Sequence, residues 1–178
     1  MVIQIRKAAS ADQDAIRDVV LSAFSEDESQ PIATLAENLL KEQTRPETLT
    51  LVAETDGRLV GHIAFSPVGA DKNASWLGYI LAPLAVKPDY HKQGIGSKLI
   101  KSGLERLTAN GVDSVFVYGD PAYYGRFGFN AEAAEKYQPP YALHYPFGWQ
   151  ATVLREGGSV EQIIRFSCVA ALRDPSLW

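Results

Sequence analysis

The sequence predicts an α/β domain built on a mixed, largely antiparallel central sheet flanked by helices. Three observations point to it. Apolar residues recur at helical spacing in three stretches: Ala15, Ile16, Val19, Val20, Ala23 and Phe24; Ile32, Leu35, Leu39 and Leu40; Ile95, Leu99, Ile100, Leu104 and Leu107. Two runs rich in strand formers, Thr48 to Thr55 and Arg58 to Ser66, flank Asp56-Gly57, a pair that favours a tight hairpin turn. Trp76 to Val86 is almost wholly apolar, as a strand buried on both faces would be. The order β-α-α-β-β-β-α-β-α-β-β alternates too irregularly for a doubly wound Rossmann domain.

Each element has a local signal. Val2 to Arg6 alternates as a short strand does, and Ser10 with Gln13 has capping-box spacing for the start of the first helix. The acidic stretch Ser25 to Gln30 reads as a connection, with Pro31 at the first position of the second helix. Pro88 and the polar residues after it end the apolar strand. A helix follows from Gly94 to about Ala109, with Gly111 as its C-cap. Val112 to Tyr118 reads as a strand, and Asp120-Pro121 supplies an N-cap and first-turn proline for a short helix through Phe127. Thr152 to Arg155 and Val160 to Val169 read as strands, and the proline- and aromatic-rich Tyr137 to Trp149 as loop.

Composition narrows the function classes. The 178 residues fit a single domain, residues 1–178, and 46% hydrophobic content supplies a core. A net charge of −4 speaks against a nucleic-acid partner. One cysteine, Cys168, and three scattered histidines give no disulfide framework and no metal-site spacing. With no signal-peptide pattern and no apolar run of membrane-spanning length, the expected location is cytoplasmic, off the membrane.

The chemistry concentrates between Leu84 and Leu99, where an apolar strand leads through a polar turn with two glycines into a helix. Glycine lets backbone approach a ligand, and the first N–H groups of a helix lack intrahelical partners. Such a turn favours a phosphate or pyrophosphate, and Lys92 and Lys98 add positive charge. On the Gly-x-Gly alone, an ordinary strand-to-helix turn reads the same way. A Rossmann fingerprint fails because Leu99 stands where a third glycine belongs, and a P-loop fails because Ser97-Lys98 follows Gly96.

Leu84-Ala-Val-x-Pro followed by His91-Lys-Gln-Gly-Ile-Gly resembles the main motif of the GCN5-related N-acetyltransferase family, Gln/Arg-x-x-Gly-x-Gly/Ala after a strand and a proline. His91 departs from the usual Gln or Arg. Gly119-Asp-Pro-Ala-Tyr-Tyr-Gly-Arg-Phe-Gly-Phe129 is similar to a later motif of the family, with Tyr124 in its tyrosine position. That wording, with Gly61-His-Ile-Ala-Phe-Ser-Pro-Val68, is most similar to the YhbS-like subgroup. The resemblance covers residues 2–130 and leaves 131–178 divergent.

The resemblance implies transfer of an acetyl group from acetyl-CoA, a co-substrate, directly to an amine acceptor, without a metal. It assigns the pantetheine arm to the backbone of Leu84, Ala85 and Val86. The pyrophosphate falls to His91, Lys92, Gln93, Gly94, Ile95, Gly96 and Ser97. Tyr124 becomes the candidate acid for the leaving thiolate, the other reading being an aromatic packed under the sheet. Cys168 lies outside the motifs, which argues against an acetyl-cysteine intermediate. Residues 80–86 carry no carboxylate, so the base stays open among Glu26, Asp27, Glu28, His62 and a water relay. Asp120 reads as a helix cap. A non-catalytic acyl-CoA-binding module is the alternative function. Tyr137, Tyr141, Tyr145, Trp149 and Trp178 are candidates for pocket, core or a homodimer interface.

Overall fold

In the computed structural model, which describes residues 1–70, 75–156 and 163–178, the strand and helix signals become two compact units. Met1–Phe65 with Ala82–Gly103 make the first, and Ser66–Leu81 with Leu104–Trp178 the second.

The first unit holds β1 (Gln4–Lys7), α1 (Gln13–Ala23), α2 (Glu26–Lys41) and β2 (Leu49–Thr55). It also takes the start of β3 (Arg58–Ala70), the end of β4 (Gly78–Val86) and most of α3 (Ile95–Ala109). Its strands lie in the order β1-β2-β3-β4. β1 pairs antiparallel with β2 from Gln4↔Glu54 to Lys7↔Leu51, and β2 with β3 from Leu49↔Phe65 onward. Asp56 (φ 49°) and Gly57 (φ 73°) close the hairpin with both central residues at positive φ, the demand that Asp-Gly meets cheaply.

Helices cover both faces of these strands. The α1 and α2 stripes bury Ile16, Val19, Val20, Ala33 and Ala36 against Val52, Leu59 and Ala85. Ala53 turns the other way, and there α3 packs close: a Cβ at Gly61 would lie 3.0 Å from Leu99 and 3.1 Å from Ile95.

Two helix starts differ from the expectation. Ser10 is not a cap; Ser10–Asp12 forms a 3₁₀ turn, and the Asp12 carboxylate accepts from the Ala9 N–H at 2.7 Å. Arg6 fixes that carboxylate from the neighbouring strand with two hydrogen bonds, 2.8 and 3.0 Å, while its Nε bonds Glu54 at 3.1 Å. The stretch expected as a connection is the first turn of α2: Ser25 is the N-cap, and Glu26, Asp27 and Glu28 follow. Three carboxylates at the positive end of the dipole support that turn, and Pro31, inside the helix, costs it one backbone bond.

The second unit holds the start of β4, β5 (Ser114–Tyr118), α4 (Pro121–Tyr124), α5 (Ala131–Ala134), β6 (Tyr137–Gln138), β7 (Trp149–Val153) and β8 (Ile164–Ser167). β4 runs parallel to β5 from Gly78↔Ser114 to Leu81↔Val117, and β5 antiparallel to β7 from Ser114↔Val153 to Tyr118↔Trp149. β8 pairs with the end of β3 and with β6. The fold class is the mixed, mostly antiparallel α/β architecture expected from the sequence. The β4–β5 pairing ends just before Pro83, which has no N–H to give a ladder.

The expected loop 137–149 instead contains β6 and a 3₁₀ turn at Pro146–Gly148. The strand expected at Thr152–Arg155 lies at Trp149–Val153, and within Val160–Val169 the strand is Ile164–Ser167; Val160, Glu161 and Gln162 lie outside the described residues. Aromatic packing explains the shift. Phe116 stacks on Trp149 at 5.5 Å, and Phe166 and Tyr137 lie 5.1 and 4.9 Å from Phe116. Trp76 stacks on Tyr137 at 5.3 Å, and Trp178 closes on Trp149 at 6.1 Å. Trp149 and Trp178 are therefore buried in a core and Tyr137 packs half-buried against it, whereas Tyr145 is exposed.

Candidate active site

Within the first unit, β4 ends at Val86 and the chain turns through the 3₁₀ segment Pro88–Tyr90 into residues 91–94. Lys92 (φ 61°) and Gly94 (φ 76°) both take left-handed backbone, and a Cβ at Gly94 would meet nothing within 4 Å. The first bond of the α3 ladder runs from the Lys98 N–H to the Gly94 carbonyl at 3.0 Å, so the N–H groups of Ile95, Gly96 and Ser97 precede the ladder. His91, Lys92, Gln93, Gly94 and Lys98 are exposed, and Gly96 and Ser97 half-buried. The turn thus presents amide donors, the positive end of a 15-residue helix and two lysines, a set suited to an anion. Ile95 and Ala85 have buried side chains, so only their backbone is available.

His91 does something the sequence did not show. The Lys87 N–H bonds the Val60 carbonyl on β3 at 2.9 Å, so the carbonyl of that same peptide, Val86, points away from β3. His91 Nε2 lies 2.8 Å from this oxygen. A carbonyl only accepts, so Nε2 is the protonated nitrogen, and the imidazole ties the turn to the end of β4.

His62, on β3 opposite Val52, is fully buried, and neither ring nitrogen has a hydrogen-bond partner among the described residues. Burial lowers its pKa to about 4, which keeps it neutral and makes it a weak base. Glu26, Asp27 and Glu28 support the start of α2.

In the second unit, Asp120 caps α4, its carboxylate accepting from the Ala122 N–H at 2.9 Å. The N–H groups of Tyr123 and Tyr124 both bond the Asp120 carbonyl, at 3.1 and 3.0 Å. Their rings meet edge-to-face at 5.0 Å and then find different partners. Tyr123 lies under the Arg126 guanidinium, 4.6 Å from its ring centre, and Tyr124 turns its ring edge-to-face with Phe129 at 5.8 Å. Tyr124 also lies against Gly119, where a Cβ would stand 2.5 Å from its ring. Burial, and then the neighbouring Tyr123, pushes the Tyr124 phenol well above its ordinary pKa; burial raises Tyr123 too, with Arg126 opposing. Gly119 as the seat of the Tyr124 ring is a contact that reading the motif missed. Among the described residues no group of three His, Cys, Asp or Glu side chains converges to hold a metal, and no helix is long and apolar enough to cross a membrane.

Comparison with known proteins covers both segments. An uncharacterized N-acetyltransferase, YjhQ of Escherichia coli K12, is 38% identical over 135 residues, 75% of this chain and 73% of its own. YhbS of the same organism is 44% identical over 88 residues, 48% of this chain and 52% of that protein. Among solved structures, Escherichia coli YhbS in complex with CoA superposes with a TM-score of 0.75 at 31% identity, covering 93% of this chain and 89% of that one. A GNAT family acetyltransferase from Brucella melitensis in complex with acetyl-CoA gives 0.73 at 33% identity over 96% and 97%. The family model for acetyltransferases of the GNAT type matches residues 14–129, a span that contains the anion-suited turn and Tyr124. On that match the chain belongs to the acetyltransferase (GNAT) family.

Proposed function

We propose that residues 1–178 act as one N-acetyltransferase domain, cytoplasmic in location, that moves the acetyl group of acetyl-CoA directly to an amine. The observation that carries this reading is the turn at 91–97, whose N–H groups at Ile95, Gly96 and Ser97 stand ahead of the α3 ladder. Two structural relatives were solved with CoA and acetyl-CoA, and the curated relatives bear the name N-acetyltransferase, which favours catalysis over a purely acyl-CoA-binding module.

The pyrophosphate takes the amides of 94–97, with Lys92 and Lys98 supplying charge, and the pantetheine arm takes backbone groups of Leu84, Ala85 and Val86. With His91 on the Val86 carbonyl, the Val86 N–H and the backbone of Leu84 and Ala85 are left for that arm. The neutral amine attacks the thioester carbonyl, the carbon–sulfur bond breaks with its electron pair leaving on sulfur, and the proton that the nitrogen sheds on becoming an amide passes to water. Tyr124 supports that step as a proton-bearing donor. A thiol has a pKa of about 8.5, below that of a phenol, so full transfer from Tyr124 to the thiolate is uphill. Its contribution is a hydrogen bond to the growing charge on sulfur, with solvent completing the protonation. Cys168 is buried and outside both motifs, consistent with direct transfer.

Calorimetry with acetyl-CoA tests the binding half. Gly96→Val places a branched side chain over the amides and should weaken binding by at least tenfold while far-UV dichroism stays native. Unchanged affinity would remove the turn from the site. Release of CoA thiol with a panel of amines tests the catalytic half; tight binding with no turnover on any of them would favour the binding module.

A further inference from the structure

Gln150 sits on β7 opposite Val117 of β5, 1% exposed. Its Nε2 donates to two backbone carbonyls, Gly119 at 3.2 Å and Gly148 at 3.3 Å. Carbonyls only accept, so the orientation of the amide is set: Nε2 faces the two glycines, and Oε1 points elsewhere. That oxygen is buried and has no hydrogen-bond partner among the described residues. A buried, unpaired acceptor works against folding, and an apolar side chain of similar size would avoid the cost. Stability alone therefore does not account for a glutamine at this position. What the amide provides is a clasp on Gly119.

Gly119 is the seat of Tyr124. The ring lies where a Cβ of residue 119 would be, and the Gly119 N–H bonds the Gly148 carbonyl at 3.0 Å. Gly148 is itself pressed against this strand, since a Cβ there would lie 3.0 Å from the Gly119 carbonyl oxygen. The peptide that Gln150 holds leads directly into Asp120, whose carboxylate caps α4 and whose carbonyl takes the Tyr124 N–H. A tilt of that peptide would move the cap, the helix and the ring together. We infer that Gln150 is a positioning residue for Tyr124: through Gly119 it fixes the height and direction of the phenol. This rests on the role of Tyr124 proposed above.

The test is a double-mutant cycle read by steady-state kinetics of acetyl transfer. Gln150→Met removes the two donated hydrogen bonds and the unpaired oxygen while keeping the bulk. It should lower kcat about fivefold to tenfold and leave KM for acetyl-CoA within about twofold. In the Tyr124→Phe background the same change should lower kcat no further, because the hydroxyl it positions is already gone. An equal loss in both backgrounds would show that Gln150 acts independently of Tyr124 and would overturn the inference, as would an unchanged kcat in the single variant. If Tyr124→Phe itself keeps full kcat, the role of Tyr124 falls and takes this inference with it, an outcome distinct from the other two. Should Gln150→Met fail to fold, Gln150→Leu is the second variant. It also removes both donated hydrogen bonds and the unpaired oxygen, so it should give the same loss in kcat at constant KM, and an unchanged kcat would overturn the inference.

Discussion

Tyr124 keeps its proton more firmly than an ordinary tyrosine, because burial disfavours the phenolate. In the proposed reaction that suits a donor which lends a hydrogen bond without losing its proton. Tyr124→Phe keeps the ring between Gly119 and Phe129, so acetyl-CoA affinity and melting temperature should stay at wild-type values. The turnover number should fall about 10²-fold, the lower end of what losing one donor to a developing anion costs, as measured by CoA thiol release. Tyr123→Phe should do far less, since that ring is engaged with Arg126. His62 makes a different prediction at the same scale. The unfolded chain takes up a proton on this imidazole near pH 6.5 and the folded chain only near pH 4. Between those values the unfolded state binds more protons, so the contribution is fully present above pH 6.5 and is lost as the pH falls toward 4. The loss amounts to roughly 3 kcal/mol. Urea titrations at pH 7 and pH 4 should show this drop in the wild type and a much smaller one in His62→Leu.

Helix docking in the first unit depends on missing side chains. At Gly103 a Cβ would run into the ring of Phe65, which is fully buried and has nowhere to go. Gly103→Ala gains about 1 kcal/mol in helix propensity but forces an overpacked contact costing ~1–3 kcal/mol. The net outcome should be a lower melting temperature, and a higher one would show that α3 shifts freely on β3. At the start of α2, replacing Glu26, Asp27 and Glu28 together by glutamine should cost about 1–2 kcal/mol at low salt, and less at high salt. The Michaelis constant for the amine should stay unchanged if these carboxylates serve the helix, and a rise in it would show that they also attract the amine. These elements also show what local sequence can and cannot reveal. The hairpin at Asp56-Gly57 and the periodicity of α3 are signals carried within a few residues, and they were legible. Pro31 misled because Ser25 and three carboxylates can start a helix before a proline that costs it one bond. Ser10 misled because it opens a 3₁₀ turn ahead of the helix, where the carboxylate that bonds the backbone is that of Asp12, held by Arg6 of β1, a partner that no spacing rule contains.

For the molecule as a whole, the same distinction separates the anion-suited turn of the first unit from Tyr124 of the second. The turn at 91–97 was readable because strand end, glycines and helix start are contiguous. The surroundings of Tyr124 were not, since Gly148 and Gln150 come from more than twenty residues further along. The C-terminal third was hardest for the same reason: Trp149 and Phe166 find their places by meeting Phe116, and Trp178 by meeting Trp149. One consequence concerns observation by light. All three tryptophans, Trp76, Trp149 and Trp178, belong to the second unit, while the anion-suited turn belongs to the first. Indole emission therefore reports on the second unit, while the pyrophosphate of acetyl-CoA is expected at the turn of the first. Because β3 and β4 each begin in one unit and end in the other, we expect the two to melt together. Acetyl-CoA at about 100 times its dissociation constant adds ~2.7 kcal/mol, and the fluorescence midpoint should rise accordingly. A midpoint that stays still while far-UV dichroism shifts would mean separate melting. Either way, the chain carries its own fluorophores, all three within the second unit, so the response of that unit to binding at the turn of the first can be read without attaching a dye.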